Sequence, residues 1–367
     1  MMKRLARNPE KFEPFELYTT LGRIHNYQLG NPAHNKEFLE RIDASLKSSQ
    51  SDQQLIHGKR MEILFGLMAA GFGVCKLVKV EDSGEIFSAE EVAVPDYLLI
   101  LEDGTKIFVE VKNCNIKDIH KPYILKKTYT SKVEKYAELH GIPVYYAIHY
   151  RNMNNKWTLQ PLTSFVEKED HYSTNIIRSL ATNEMHLIGD IYIGTKPPLA
   201  LELIADIDES TPALNNSEGY FSPKGYKIYC SGNEINDETE RKIANYLMMY
   251  GDWSESEPEA IVDEDGKMQS ISITLSPEIP ENFERNGFDF IGVLSTMITK
   301  EFNIQTIQGK KVTAMDTNLE PHDFSVKIPS DYKGGSLPLW RISMLPNLDY
   351  KESPDEGFYY EVTTDGE

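Results

Sequence analysis

Cysteine is scarce in this chain: Cys75, Cys114 and Cys230 are the only three in 367 residues. An odd number without metal-type spacing builds neither a disulfide framework nor a zinc ribbon, so a reducing cytoplasm is the expected setting. No apolar run reaches the ~20 residues that cross a bilayer, so no membrane role is expected. The start, Met1 to Pro9, is basic but has no apolar segment behind it and is not read as a secretory signal. Repeats and low-complexity tracts are also missing. What is present is an ordinary globular composition, 40 % apolar and 26 % charged, in a chain long enough for two domains.

Positive charge is also in short supply, with a formal net of −19, which argues at first against a nucleic-acid partner. The deficit is uneven. Residues 1–160 hold 22 Lys and Arg against 20 Asp and Glu, whereas residues 161–367 hold 16 against 37. The first part is therefore near neutral and open to phosphates. The acidity of the second reads as a solvated surface, with a basic partner or a patch guarding the site as the alternatives.

Apolar periodicity divides the chain into an N-terminal helical extension (1–50), an α/β segment (51–165) and an acidic α+β part (166–367). Lys36–Lys47 reads as an amphipathic helix. Ser51-Asp52 reads as the N-cap of a longer helix that runs to about Ala70 and stops at Gly71 and Gly73. Val74–Val80 follows as a strand, with a turn at Glu81–Gly84. Val92–Leu101 and Lys106–Lys112 form the clearest hairpin, joined through Glu102–Thr105. A basic irregular stretch, Lys117–Lys127, leads to a helix from Thr130 to His140, a strand Val144–Tyr150 and an edge strand Trp157–Leu162. This order predicts a mixed sheet flanked by helices. Beyond it the pattern predicts strands at Ile188–Ile193, Leu199–Ile207, Tyr226–Cys230 and Met268–Leu275, a turn at Asp263–Gly266, and helices over Asp237–Tyr250 and Asp289–Phe302.

The hairpin carries the chemistry. Residues two apart in a strand share a face, so Glu110 and Lys112 project together while Val111 enters the opposite layer. Two carboxylates within ~5 Å on paired strands suit a hard divalent cation such as magnesium, and a lysine beside them can orient water and offset charge on phosphorus. Register decides whether Asp96 joins them. A two-residue turn at Asp103-Gly104 sets Asp96 opposite Val111. A three-residue loop, Glu102-Asp103-Gly104, with Gly104 left-handed, sets it opposite Glu110.

Pro95-Asp96, followed 14 residues after Asp96 by Glu110-Val111-Lys112, resembles the PD-(D/E)xK nuclease motif. The preceding helix carries Glu62, like the helix glutamate that completes the metal site of that superfamily. The following helix carries Lys132 and Tyr136 where several members have glutamine and tyrosine, so Lys132 is a departure. The resemblance covers residues 52–160 only.

It implies a restriction-endonuclease-like fold and a metal-dependent endonuclease acting on DNA. Asp96, Glu110 and Lys112 would be catalytic, and Glu62, Asp96, Glu110 and the Val111 carbonyl would hold Mg²⁺ or Mn²⁺. Lys59, Arg60, Lys126, Lys127, Lys132, Lys135 and Tyr136 are the expected nucleic-acid contacts, with Lys121 and Asn113 as further candidates. A homodimer or a partner subunit joined through the acidic part, and a place in bacterial defence or restriction, are further expectations. The rival reading is a non-cleaving binding or scaffold subunit. His57, His120 and His149 read as ordinary surface or core histidines. Cys114 reads as a small buried residue. Asp263–Gly266 lacks the ligand spacing of a calcium loop, and Ile188–Gly194 is no dinucleotide fingerprint.

Overall fold

Asp52 ends one helix and begins the next. Its backbone caps the helix Pro32–Ser51 (α2, after α1 at Pro9–His25), and its carboxylate accepts the Leu55 N–H at 3.0 Å to start Gln53–Gly71 (α3). The computed structural model describes residues 2–5, 9–81, 84, 86–206, 221–264, 267–278 and 287–351. The turns expected at Glu81–Gly84 and Asp263–Gly266, and the end of the strand expected at Leu199–Ile207, fall partly outside these residues.

After α3 the chain alternates in the expected order. Strands Cys75–Val80 (β1), Tyr97–Leu101 (β2) and Lys106–Cys114 (β3) precede a short strand Tyr123–Lys126 (β4) and the helix Lys127–His140 (α4). Val144–Tyr150 (β5) and Lys156–Pro161 (β6) complete the unit. The sheet order is β1-β2-β3-β5-β6, with β3 and β5 parallel and every other pair antiparallel. It is a mixed sheet flanked by helices. Alternating residues serve its two faces: Tyr97, Leu99, Val109, Val111 and Leu159 pack toward α3, whereas Phe108, Val144, Tyr146 and Ile148 pack toward Val133 and Ala137 of α4.

The hairpin closes through the three-residue loop. Tyr97 lies opposite Val109 and Ile100 opposite Lys106, a register that continues to Asp96 opposite Glu110. Leu101 N–H donates to the Thr105 carbonyl at 2.8 Å, and Gly104, at φ +91°, donates to the Leu101 carbonyl at 2.9 Å.

Four expectations are corrected. The strand expected from Val92 begins only at Tyr97: Pro95 has no N–H for a ladder, and Ala93 N–H donates to the Lys132 carbonyl of α4. The stretch Lys117–Lys127 is not irregular throughout, because β4 pairs with His171–Thr174, a segment 45 residues beyond Lys126 at its near end. Met185–Ile188 is a 3₁₀ turn, and its strand starts at Tyr192. The helix expected from Asp289 is a strand over Asp289–Val293, which pairs with Tyr192–Thr195. A helix begins only at Leu294.

The acidic part is mixed helix and antiparallel sheet. Leu199–Ala205 pairs with Pro223–Cys230 and with Met268–Ser276. Helices Ile176–Ala181 (α5), Glu238–Tyr250 (α6) and Leu294–Thr306 (α7) accompany these strands. A core of Ile193, Leu199, Ile228, Ile243 and Leu247 lies beneath α6. The other core crosses residue 165, since Met185, Ile188, Ile298, Phe302 and Phe324 join the α3 layer. Trp157 of β6 donates its indole N–H to Thr299 of α7 at 2.9 Å.

Gly66 lets the sheet approach α3. Tyr97 Oη donates to the Glu62 carbonyl at 2.9 Å, and a Cβ at residue 66 would sit 2.5 Å from that oxygen. Gly66→Ala is expected to displace Tyr97 and lower stability by about 1–3 kcal/mol, read from denaturant unfolding. An unchanged midpoint would show that the ring yields freely.

Candidate active site

Glu110 occupies the centre of β3, 2 % exposed, opposite Tyr146 of β5 and one residue past the end of the β2 ladder. A carboxylate in such a place needs a cation or donors. Lys112 on the same face pairs with its Oε1, and Tyr129, in the first turn of α4, donates to that oxygen at 2.7 Å. The Lys112 ammonium also lies 4.9 Å over the Tyr129 ring. The other oxygen, Oε2, is buried without a hydrogen-bond partner.

Asp96 reaches the same place from the end of β2. Its Oδ2 accepts the Val111 N–H at 2.8 Å, and its carbonyl accepts the Glu81 N–H at 2.9 Å. Burial, reinforced by Glu110 and then Glu62, pushes its carboxyl up to about 7, despite the Val111 N–H and the Lys112 charge. Glu62 comes from α3, where the Tyr97 bond holds its turn against β2. Its Oε2 pairs with Lys59 at 2.6 Å, and the Lys59 charge is also felt at Asp96 and Glu110. Glu62, Asp96, Glu110 and Lys112 are thus brought into one electrostatic cluster.

The donors suit a hard divalent cation. All are oxygens, one buried carboxylate oxygen is unpartnered, and one carboxyl is raised by burial and by the two carboxylates beside it. Among the described residues, however, no three His, Cys, Asp or Glu side chains are already grouped to hold a metal. In this arrangement Lys59 and Lys112 bond two of the carboxylates directly. A cleft of about 470 Å³ opens beside the cluster, reaching Glu62 and Lys112 and lined also by Gln54, His57, Asn113 and Tyr123 among others.

The lysines of α4 do not line this cleft, and they sit in ion pairs at the surface. Lys127 pairs with Glu167 at 2.6 Å, Lys132 with Glu91 at 2.6 Å, and Lys135 with Glu90 and Glu138 at 3.0 Å. Pairs of this kind contribute little and leave lysines able to exchange partners. Lys126 is exposed at the start of α4, and Lys121 is exposed ahead of β4. Tyr136 packs edge-on against Phe108, and its hydroxyl reaches Glu81 at 3.4 Å. Arg60 is buried and bonded to α7.

Sequence reasoning missed Tyr129, because the expected helix began one residue after it. It also read His149 as an ordinary histidine and passed over Arg151, both of which the fold brings to Arg60.

The chain is similar in part to a Holliday junction resolvase. That solved structure, Hjc from Archaeoglobus fulgidus, shares 20 % identity with a TM-score of 0.23 over 32 % of this chain and 88 % of its own. No family model and no curated protein matches the chain. At such a score the likeness carries no argument alone, and the site stands on its geometry.

His149 provides a pH test of the packing beside the cleft. Burial, with Arg60 and Arg151 nearby, lowers its ring to about 3, below the ~6.5 of an unfolded histidine. Its contribution is therefore fully present above pH ~6.5 and is lost as pH falls toward 3. His149→Gln is expected to change stability by a constant amount above neutrality and to gain on the parent as the medium is acidified. Melting temperatures of both proteins from pH 8 to 4 check this, and parallel curves throughout would overturn it.

Proposed function

We propose that this protein is a metal-dependent endonuclease acting on DNA. Its restriction-endonuclease-like core would span residues 51–165, and residues 166–367 would buttress it and carry contacts to a second copy or a partner subunit. The observation that carries the reading is the unpartnered Oε2 of Glu110, buried beside Asp96 and next to Lys112. The motif resemblance adds bacterial defence or restriction as the setting, in the cytoplasm.

Asp96 and Glu110 would hold Mg²⁺ or Mn²⁺ with the Val111 carbonyl, and Glu62 would serve a second ion or its water. Such an ion, when bound, polarises the phosphoryl oxygen and makes bound water more acidic. Lys112 orients the attacking water and offsets charge that builds on phosphorus. Tyr129 fixes the Glu110 carboxylate through the bond its hydroxyl donates at 2.7 Å. Lys59, Lys126, Lys127, Lys132 and Lys135 offer charge to the phosphate backbone, whereas Tyr136 acts through packing.

The second reading, a binding subunit that does not cut, draws on one observation. No ready group of three metal ligands exists among the described residues, and lysines already bond Glu62 and Glu110. A Mn²⁺ titration separates the two, because a degenerate site binds no manganese through Asp96 and Glu110.

The deciding experiment offers plasmid, linear duplex, single strands, a four-way junction and RNA, with Mg²⁺, with Mn²⁺ and with chelator. Cleavage of DNA is expected only with metal. Asp96→Asn, Glu110→Gln and Lys112→Ala are expected to lose on the order of 10²-fold or more in rate while keeping the parent's circular dichroism. Tyr129→Phe should lose about tenfold, the worth of one hydrogen bond to a charged group. If Asp96→Asn and Lys112→Ala still cut plasmid, the reading is wrong.

A further inference from the structure

Beside the cleft, on the α3 face of the sheet, lies a smaller cavity of about 120 Å³. Its walls include His57 and Arg60 of α3, Asn113 of β3, His149 and Arg151 at the end of β5, and Asn303 of α7. No aspartate or glutamate lines it. His57 and Asn113 also line the cleft over Glu62 and Lys112, so the two spaces share a wall.

Arg60 is an unusual cation to bury. It is 2 % exposed, stacks 4.7 Å from the centre of the Phe302 ring, and donates to the hydroxyl of Thr306 and the amide oxygen of Asn303. All these partners are neutral. A buried guanidinium without a counter-charge is costly, and Arg151 adds a second positive charge close enough to depress Arg60 further. Among the described residues neither arginine has an ion pair.

The second observation is independent. His149 is 3 % exposed, its Nδ1 lies 3.0 Å from Asn113 Oδ1, and its buried Nε2 lacks a well-formed hydrogen bond, although Asn155, another wall of the cavity, interacts with the ring. Turning the Asn113 amide so that nitrogen donates to Nδ1 leaves the neutral ring carrying its proton on Nε2, as a donor. Two guanidinium groups and one ring N–H then line one small space. That is the donor set of a tetrahedral oxyanion.

We propose that this cavity holds a phosphoryl group of the nucleic-acid strand, next to the bond that is cut. The assignment rests on the nuclease reading for its substrate, but the anion site itself needs no metal and no cleavage. The phosphoryl group comes either from a strand end, as a terminal phosphate, or from within the strand, as a phosphodiester.

The test begins with the metal-free full-length protein and inorganic phosphate, followed by calorimetry and by melting temperature. Saturable binding is expected. Arg151→Gln, at an exposed position, and His149→Gln should each weaken it by about tenfold, the loss of one charge-assisted bond. Lys242→Gln, on the surface of α6, should leave it unchanged. Absent binding, or binding indifferent to Arg151→Gln, overturns the proposal.

The second arm follows cleavage, in Mg²⁺, of 5′-phosphorylated duplex, 5′-hydroxyl duplex and closed plasmid by parent and Arg151→Gln. A defect confined to the phosphorylated ends supports a terminal phosphate, and an equal defect on all three supports an internal one. Full activity of Arg151→Gln on every substrate overturns the site while leaving the nuclease standing. Arg151-dependent phosphate binding with no cleavage by the parent does the reverse.

Discussion

The central place of β3 is the constraint on which the rest depends. It is hydrogen-bonded on both edges and covered on both faces, so every group it carries must be satisfied from within the protein. Val109 and Val111 meet this by packing against α3. Glu110 cannot, and the surroundings are organised around its charge: Lys112 from the same strand, Tyr129 from α4, Asp96 from the neighbouring strand. Burial, and then the charges of Glu110 and Glu62, push the Asp96 carboxyl upward, so the three carboxylates share a place poor in solvent and in positive charge.

A second device holds the two halves together. The α3 layer is completed by α7, through Phe302 and Ile298, through the bond from Trp157 to Thr299, and through Arg60 on Thr306. The acidic part is therefore joined to the near-neutral part by a shared core. The same contact shapes the small cationic cavity, because Asn303 of α7 forms one of its walls. Residues far from the motif thus bear on the chemistry beside it.

Much of the site was legible because its signals are local. The spacing of Asp96, Glu110 and Lys112 points to a hairpin, and Gly104 allows the left-handed backbone that either of its two possible loops requires. Asp52 as a cap, Gly141 as a stop and the apolar run at Val144–Tyr150 are equally short-range. The misreadings fell where distant pairing overrides local preference. Asp289–Val293 has enough apolar character for a helix turn, yet Tyr192–Thr195 claims it as a strand. Tyr123–Lys126 reads as loop until His171–Thr174 arrives beside it.

By itself, then, the sequence determined the hairpin and the common face of Glu110 and Lys112, and narrowed the register to two loops, because strand alternation and turn closure act over a few residues. Tertiary structure alone decided that Tyr129 bonds Glu110, that Lys127, Lys132 and Lys135 sit in ion pairs, and that Arg60 is buried against α7. It also decided that His149 and Arg151 join Arg60 around one cavity. These are meetings of side chains separated by tens to hundreds of residues. No periodicity records such meetings, because they arise only when the sheet and its covering helices close on one another.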